Sequence, residues 1–165
     1  MFLVTEMRIN NYDHPKDYFI PNFNGEDFTE EWWMYLYTIP GHAIGIMSQE
    51  KVYELNLEGV ASYQIYFKHW YEGTEDNRIT TETFPLNIWS HWTVVYDGST
   101  YETKVYKDAV EVYSQVHQLQ FYPGTKSFVN HEGSSTGVCG DIVFSTYRYW
   151  STKFDATYLL SIKDE

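Results

Sequence analysis

The chain has 165 residues, of which 43% are hydrophobic and 19% aromatic, with 16 Tyr, 10 Phe and 6 Trp. Its 23 acidic residues outnumber 11 basic ones for a formal net charge of −12, so phosphate backbones and anionic membrane surfaces are repelled on average, and no Lys/Arg cluster offers a local exception. Cys139 is the single cysteine, which excludes an internal disulfide, and no apolar run approaches the ~20 residues of a membrane helix. Neither nucleic acid nor membrane insertion is expected.

A chain of this length forms one domain, 1–165, burying roughly 70% of its unfolded surface. Rings in this abundance favour the pleated, half-buried surface of sheets. The opening MFLVTEMRIN predicts a strand over 2–9, and its apolar run is too short for a signal-peptide core. A second strand is expected over 17–23. The acidic GEDFTEE, with Glu26, Asp27, Glu30 and Glu31, reads as a solvated loop ahead of a strand over 32–39. In EEWWMYLYTIPG both alternating sets are apolar, as in a central strand covered on both sides, and Pro40-Gly41 stops it.

Further strands are predicted over 43–48, 51–57 and 62–71. In the last, SYQIYFKHWYE, Tyr63, Ile65, Phe67, His69 and Tyr71 share one face, and Gln64, Tyr66, Lys68, Trp70 and Glu72 the other. The first set reads as core and the second as a partly exposed face. EGTEDN then reads as a polar loop. Strands follow over 78–84, 88–96, 101–107, 110–116, 126–130 and 140–150, with a tight turn at Asp97-Gly98-Ser99 between two of them. Near the end DATYLLSI predicts a short helix over 155–162, capped by Asp155, with Tyr158, Leu159 and Ile162 as its apolar stripe. Short aromatic strands separated by turn residues, with almost no helix, define an all-β sandwich or barrel.

WSHWTVVYDGST resembles a segment of laminin-G-like modules in the concanavalin A-like lectin/glucanase superfamily, with Trp89, His91, Tyr96, Asp97 and Gly98 on the pattern. KVYKDAVEV is similar to the next strand and turn, although Asp108-Ala109 stands where the family usually has Asp-Gly or Asn-Gly. Ala tolerates positive φ poorly, so that turn is expected to have a different geometry or an extra residue. FNGEDFTEEWWMYL resembles the family's first sandwich strand, with Trp33 at the Trp position. GDIVFSTYRYWSTKFDATYLL resembles the closing strand and terminal helical turn, with Arg148, Trp150 and Phe154 on the pattern. There Ser145-Thr146 replaces an acidic pair. The resemblance covers about 22–162 and implies an antiparallel jelly-roll sandwich; it is poorly specific for function, because one fold hosts many sites.

Glycoside hydrolysis needs two carboxyl groups held ~5–9.5 Å apart across a bond, and the alternating acidic run that the superfamily's enzymes carry on one strand is absent. Scattered His residues give no zinc spacing, His91 reads as a hydrogen-bonded structural residue, and neither Ser134-Ser135 nor Cys139 lies in a nucleophile elbow. No catalytic residue is therefore assigned. Some modules of the superfamily bind calcium at the sandwich rim through oxygen ligands, and Glu75, Asp76 and Asn77 offer a local set; otherwise no cofactor is expected. For a ligand, Tyr66 and Trp70 could stack on a sugar face while Lys68 and Glu72 bond its hydroxyls, against the plainer reading that neighbouring elements cover both rings.

The expected function is a non-catalytic binding or adhesion module, extracellular or at a cell surface, recognising carbohydrate or a protein partner. The alternative is a structural subunit of a larger assembly, since Tyr and Trp are also enriched at interface cores. A divergent glycoside hydrolase ranks last.

Overall fold

The computed structural model describes residues 2–9, 26–37, 44–49, 53–58, 64–71, 74–83, 86–117, 127–132 and 142–162, with side-chain surroundings for 26–37, 86–117, 143 and 145–161. The strands are β1 (Phe2–Ile9), β2 (Phe28–Leu36), β3 (Ile44–Gln49), β4 (Tyr53–Glu58), β5 (Gln64–Tyr71), β6 (Thr74–Thr83), β7 (Trp89–Asp97), β8 (Glu102–Lys107), β9 (Val110–Val116), β10 (Ser127–Glu132) and β11 (Ile142–Trp150), followed by helix α1 (Ala156–Ile162). The fold is an all-β antiparallel jelly-roll sandwich with one short helix. Among the described residues one sheet has six strands in the order β1-β11-β2-β7-β8-β9, the other five in the order β10-β3-β4-β5-β6. The strand expected over 17–23 lies outside the described residues.

Alternation along β2 separates the two faces of the six-stranded sheet. Phe28, Trp32, Met34 and Leu36 are fully buried and share a face with Trp92, Val94 and Tyr96, because Phe28 pairs with Tyr96 and Trp32 with Trp92. This is the inner, core face. Phe28 stacks between Tyr96 at 5.5 Å and Tyr149 at 6.0 Å. The opposite, outer face carries Thr29, Glu31, Trp33 and Tyr35 from β2, opposite Val95, Thr93, His91 and Trp89 from β7.

Helix α1 covers one end of that outer face. Asp155 accepts the Tyr158 amide at 2.9 Å through Oδ1, the N-cap bond anticipated for it. Leu159 is fully buried against Val95 and Tyr106, with Trp150 and Phe154 alongside, worth roughly 2 kcal/mol of burial. Tyr158, expected on the buried stripe, is exposed instead and lies against the Phe154 ring at 4.2 Å. A helix of seven residues has room for one inward position per turn.

Several local expectations are corrected. Glu30 and Glu31 are not in a solvated loop: β2 begins at Phe28 and both side chains are fully buried. Of the polar EGTEDN, Thr74 to Asn77 are not a loop either, since β6 begins at Thr74, and cross-strand pairing there outweighs polar composition. The link from β7 to β8 is not a tight turn at Asp97-Gly98. Asp97 pairs directly with Glu102, leaving a four-residue connection in which Tyr101 is left-handed, φ 59°. Asp97 Oδ1 organises this loop by accepting the Ser99 amide at 2.9 Å and the Ser99 hydroxyl at 2.5 Å, as Asx turns do. The turn between β8 and β9 has two central residues, Asp108 and Ala109, with φ of 50° and 63°. Those signs are the ones a type I′ hairpin turn requires, so Ala109 accepts the left-handed region that was expected to exclude it. An extra residue does appear, at the register shift between Val105 and Tyr106.

Candidate functional site

The ligand and calcium candidates fall on paired strands of the five-stranded sheet. Tyr66, Lys68 and Trp70 lie on β5; Glu75, Asp76 and Asn77 lie on β6. Glu72 is outside the described residues, as are Ser134, Ser135 and Cys139. Tyr66 sits between Asn56 and Thr80, Lys68 between Glu54 and Arg78, and Trp70 opposite Glu75. Asn77 pairs with His69, which leaves Asp76 as the extra residue of a bulge. Directly opposed residues share a face, so polar rows (Asn56–Tyr66–Thr80, Glu54–Lys68–Arg78) alternate with the apolar row Leu55–Phe67–Ile79. Register thus brings the two candidate groups together at the Trp70 end of the β5–β6 pair.

On the six-stranded sheet the two neighbouring acids of β2 face opposite ways. Glu30 points into the core, where Tyr147 donates its hydroxyl to Oε2 at 2.9 Å. Burial, and then the Glu30 carboxylate, push the Tyr149 phenol well above its ordinary range. Glu31 points to the outer face. His91 Nε2 donates to its Oε2 at 3.1 Å and the Arg148 guanidinium lies 2.5 Å from Oε1. His91, read as structural, is buried and so engaged. Arg148 also lies over the Trp150 ring, 5.8 Å from its centroid. The Ser145-Thr146 pair forms a hydroxyl contact of 3.2 Å at the bulge of β11, where Thr146 has φ 54°.

Beyond this charged centre, at the end of the outer face away from α1, aromatic side chains come to the surface. Trp33 packs on the His91 ring at 5.1 Å; Tyr35 meets Trp89 at 5.4 Å and Tyr37 at 4.5 Å, with ring planes tilted by 59° and 56°. Tyr37 is 42% exposed, Trp89 44% and Ile88 58%. The amide of Asn87, itself at φ 58°, bonds the Leu36 carbonyl at 2.9 Å, which anchors Asn87 and Ile88 beside the end of β2. None of Tyr35, Tyr37 and Trp89 was singled out from sequence as a ligand contact. The usable signal was the second alternating set of EEWWMYLYT, which ends in Tyr rather than aliphatic residues.

At the opposite end, Lys153 bridges Asp97 at 2.5 Å and Asp27 at 4.0 Å, and Asp27 Oδ1 accepts the Gly98 amide at 2.8 Å. The bond from Lys153, reinforced by Ser99, holds the Asp97 carboxyl far below the ordinary carboxylate range, and the same bond raises the Lys153 ammonium. This ammonium occupies the space between the carboxylates. No group of three potential metal ligands occurs among the described residues, and no described helix is long and apolar enough to cross a membrane.

With this geometry, the sequence profile of the concanavalin A-like lectin/glucanases superfamily matches residues 13–144, and the chain belongs to that family. The fold is shared with the binding domain of Paraclostridial Mosquitocidal Protein 1 (TM-score 0.78, 13% identity, 98% of this chain and 44% of that one). It is also similar to the binding domain of botulinum neurotoxin DC in complex with rat synaptotagmin II (0.68, 8%, 84% and 35%). A third similar structure is of botulinum neurotoxin type C, which depends on interaction with two ganglioside molecules to enter cells (0.64, 10%, 84% and 35%). The chain spans less than half the length of these structures, and identities this low speak for the fold alone. No curated protein matches the chain in sequence.

Proposed function

We propose that the chain is a single-domain, non-catalytic binding module that works outside cells or at a cell surface and takes a glycan or a protein partner. The observation that carries this reading is the disposition of Glu30 and Glu31: back to back on β2, fully buried and each bonded to a side chain. A glycosidase needs two carboxyl groups facing one accessible bond. The shared fold with the binding domains of Paraclostridial Mosquitocidal Protein 1 and botulinum neurotoxin DC supports the same conclusion. On the five-stranded sheet, the row Tyr66, Lys68, Trp70 with Glu72 beyond it is one ligand face. Its rings are spaced four residues apart, about 13 Å, suited to an extended ligand, and its cross-strand neighbours are polar. Glu75, Asp76 and Asn77 would supply oxygen ligands for a calcium ion there, and thermal melting with and without EDTA tests that part alone.

The experiment for the whole reading is a glycan array together with a pull-down from native material, followed by titration calorimetry. Turnover of β-glucans or galactans that disappears on changing one Glu or Asp would overturn it. The competing reading, an assembly subunit, has one observation in its favour: edge strand β9 exposes Val110 and Val116. Light scattering after size exclusion separates the two, with a stable oligomer favouring assembly.

A further inference from the structure

Strand β9 ends the six-stranded sheet, and among the described residues it pairs with β8 alone. Hydrogen bonding fixes which of its backbone groups are left over. The His117 amide bonds the Tyr101 carbonyl at 2.9 Å, so His117 belongs to the bonded set of this antiparallel pair. Bonded and non-bonded pairs alternate, which turns the amides and carbonyls of Val116 and Ser114 away from β8. Both residues are exposed, and the extra residue Val112 at the register shift marks where the regular stretch begins. These donors and acceptors, repeating about every 7 Å, form a rail that an extended backbone can match. We infer that β9 is a strand-addition site for a protein partner: an extended segment, free of acidic side chains and carrying Lys or Arg, that bonds Ser114 and Val116 and continues the sheet. The inference rests on the binding-module reading and gives its protein ligand a location and a chemistry.

Protection is uneven among the sheet edges. Natural edge strands carry Lys, Pro or inward charges that deter a further strand. Edge strand β6 has Glu75, Asp76, Arg78 and Glu82, β1 has Glu6 and Arg8, and β10 ends in His131 and Glu132. Strand β9 has neither Lys nor Pro and carries Glu111 as its one charge, while Val110 and Val116 stay exposed. Charge then selects the occupant. Glu111 is exposed on the edge itself, and Ser114 donates its hydroxyl to Glu102 at 2.7 Å. Of the two lysines on β8, Lys104 already lies 3.5 Å from Glu102. A cation on the incoming strand opposite Glu111 is favourable, and an acid there is not. A second copy of this chain fits less well, because it brings its own Glu111 and a further net charge of −12, and charge of that size keeps chains apart.

The 165-residue chain is titrated by calorimetry with blocked peptides of equal length. One alternates Thr and Lys, one alternates Thr and Glu, and one is the Thr–Lys peptide with all its amides N-methylated, which keeps the charge but cannot donate to the rail. The same titrations are run on Val116→Pro, with its melting temperature measured. That change deletes an N–H that β8 does not use, and proline is tolerated at edge positions of this kind. The expected result is binding of the Thr–Lys peptide, with amide exchange slowed at Ser114 and Val116. Binding should weaken about ten-fold in Val116→Pro and vanish on N-methylation. Where Val116→Pro lowers stability, the methylated peptide answers the question on the unaltered chain. Equal binding of the methylated peptide, undiminished binding by folded Val116→Pro, or preference for the Thr–Glu peptide overturns the inference. So does a dimer of the chain alone, seen by light scattering and dissolved by Val116→Pro, which would make a second copy the occupant. Failure of every peptide to bind also overturns it, and the glycan array and pull-down then decide the binding-module reading separately.

Discussion

Glu31 and His91 meet from neighbouring strands on the outer face of the sheet, Nε2 donating to Oε2 at 3.1 Å, with neither side chain reaching solvent. Arg148 forms an ion pair with the second oxygen, so the buried carboxylate lies between a hydrogen-bonded imidazole and a guanidinium. Glu31→Leu is expected to cost about 3–5 kcal/mol, because Arg148 and His91 lose the buried carboxylate that both of them face. Adding Arg148→Met should restore much of the loss, since replacing a whole buried pair by apolar groups is often close to neutral. Urea unfolding of wild type, single and double variants measures this; a double variant no better than Glu31→Leu would mean that the pairing is not what Glu31 contributes.

Thr29 performs a comparable task for the C-terminal segment. Its hydroxyl donates to the Thr152 carbonyl at 2.9 Å and accepts the Phe154 amide at 3.0 Å. The nearly isosteric Thr29→Val deletes both bonds without emptying space, and should cost about 1–3 kcal/mol. The effect should be local as well as global. Amide exchange at Leu159, which bonds the Asp155 carbonyl, is expected to accelerate more than exchange in the centre of β7. Uniform acceleration would show that Thr29 does not act through α1.

Much of this architecture was legible because aromatic alternation marks strands directly: β1 and the β7–β8–β9 meander appear within a residue or so of where pattern puts them. The charged part of β2 was not legible, since Glu30 and Glu31 are local signals for a loop and become strand residues only through partners 117 and 60 positions away. The same holds for Glu75, Asp76 and Asn77, which are paired across to β5. For the candidate site, two apolar alternating sets in β2 implied cover on both faces. Among the described residues α1 covers one end of the outer face, and a helix docked from the far terminus leaves no trace in the strand it fails to cover.

Ala109 provides a stability test that needs no ligand. Its φ of 63° belongs to a region where a Cβ costs roughly 1 kcal/mol and glycine costs little. Ala109→Gly is therefore expected to stabilise the chain by about 0.5–1 kcal/mol, less a small loss because the methyl is buried. Ala109→Val should destabilise it by more than that. Thermal melts of the two variants decide: a lower melting temperature for Ala109→Gly would show that methyl packing outweighs backbone strain at this turn.

Asp97 and Lys153 should make the end of the sheet near α1 sensitive to pH at both extremes. The bond from Lys153 and the bonds from Ser99 lower the Asp97 pKa in the folded chain. A group depressed on folding stabilises above its unfolded pKa of about 3.9, and that contribution fades as pH falls below it towards the folded value. Lys153 is shifted upward by the same bond, so its contribution is complete below about pH 10.4 and is lost as pH rises through the folded pKa. Lys153→Met removes the Lys153 linkage and the largest single contribution to that of Asp97, leaving the bonds from Ser99. The melting-temperature difference between wild type and Lys153→Met should therefore be widest between about pH 5 and 9 and shrink on either side. The difference should be modest, because Lys153 is well exposed and water screens the pair, and it should narrow in 1 M salt. Carboxyl NMR titration reads the acid limb directly: Asp97 should titrate far below the other exposed acids in wild type and return towards 3.9 in Lys153→Met. An Asp97 that titrates normally in wild type would remove Lys153 as the tether of the segment leading into α1.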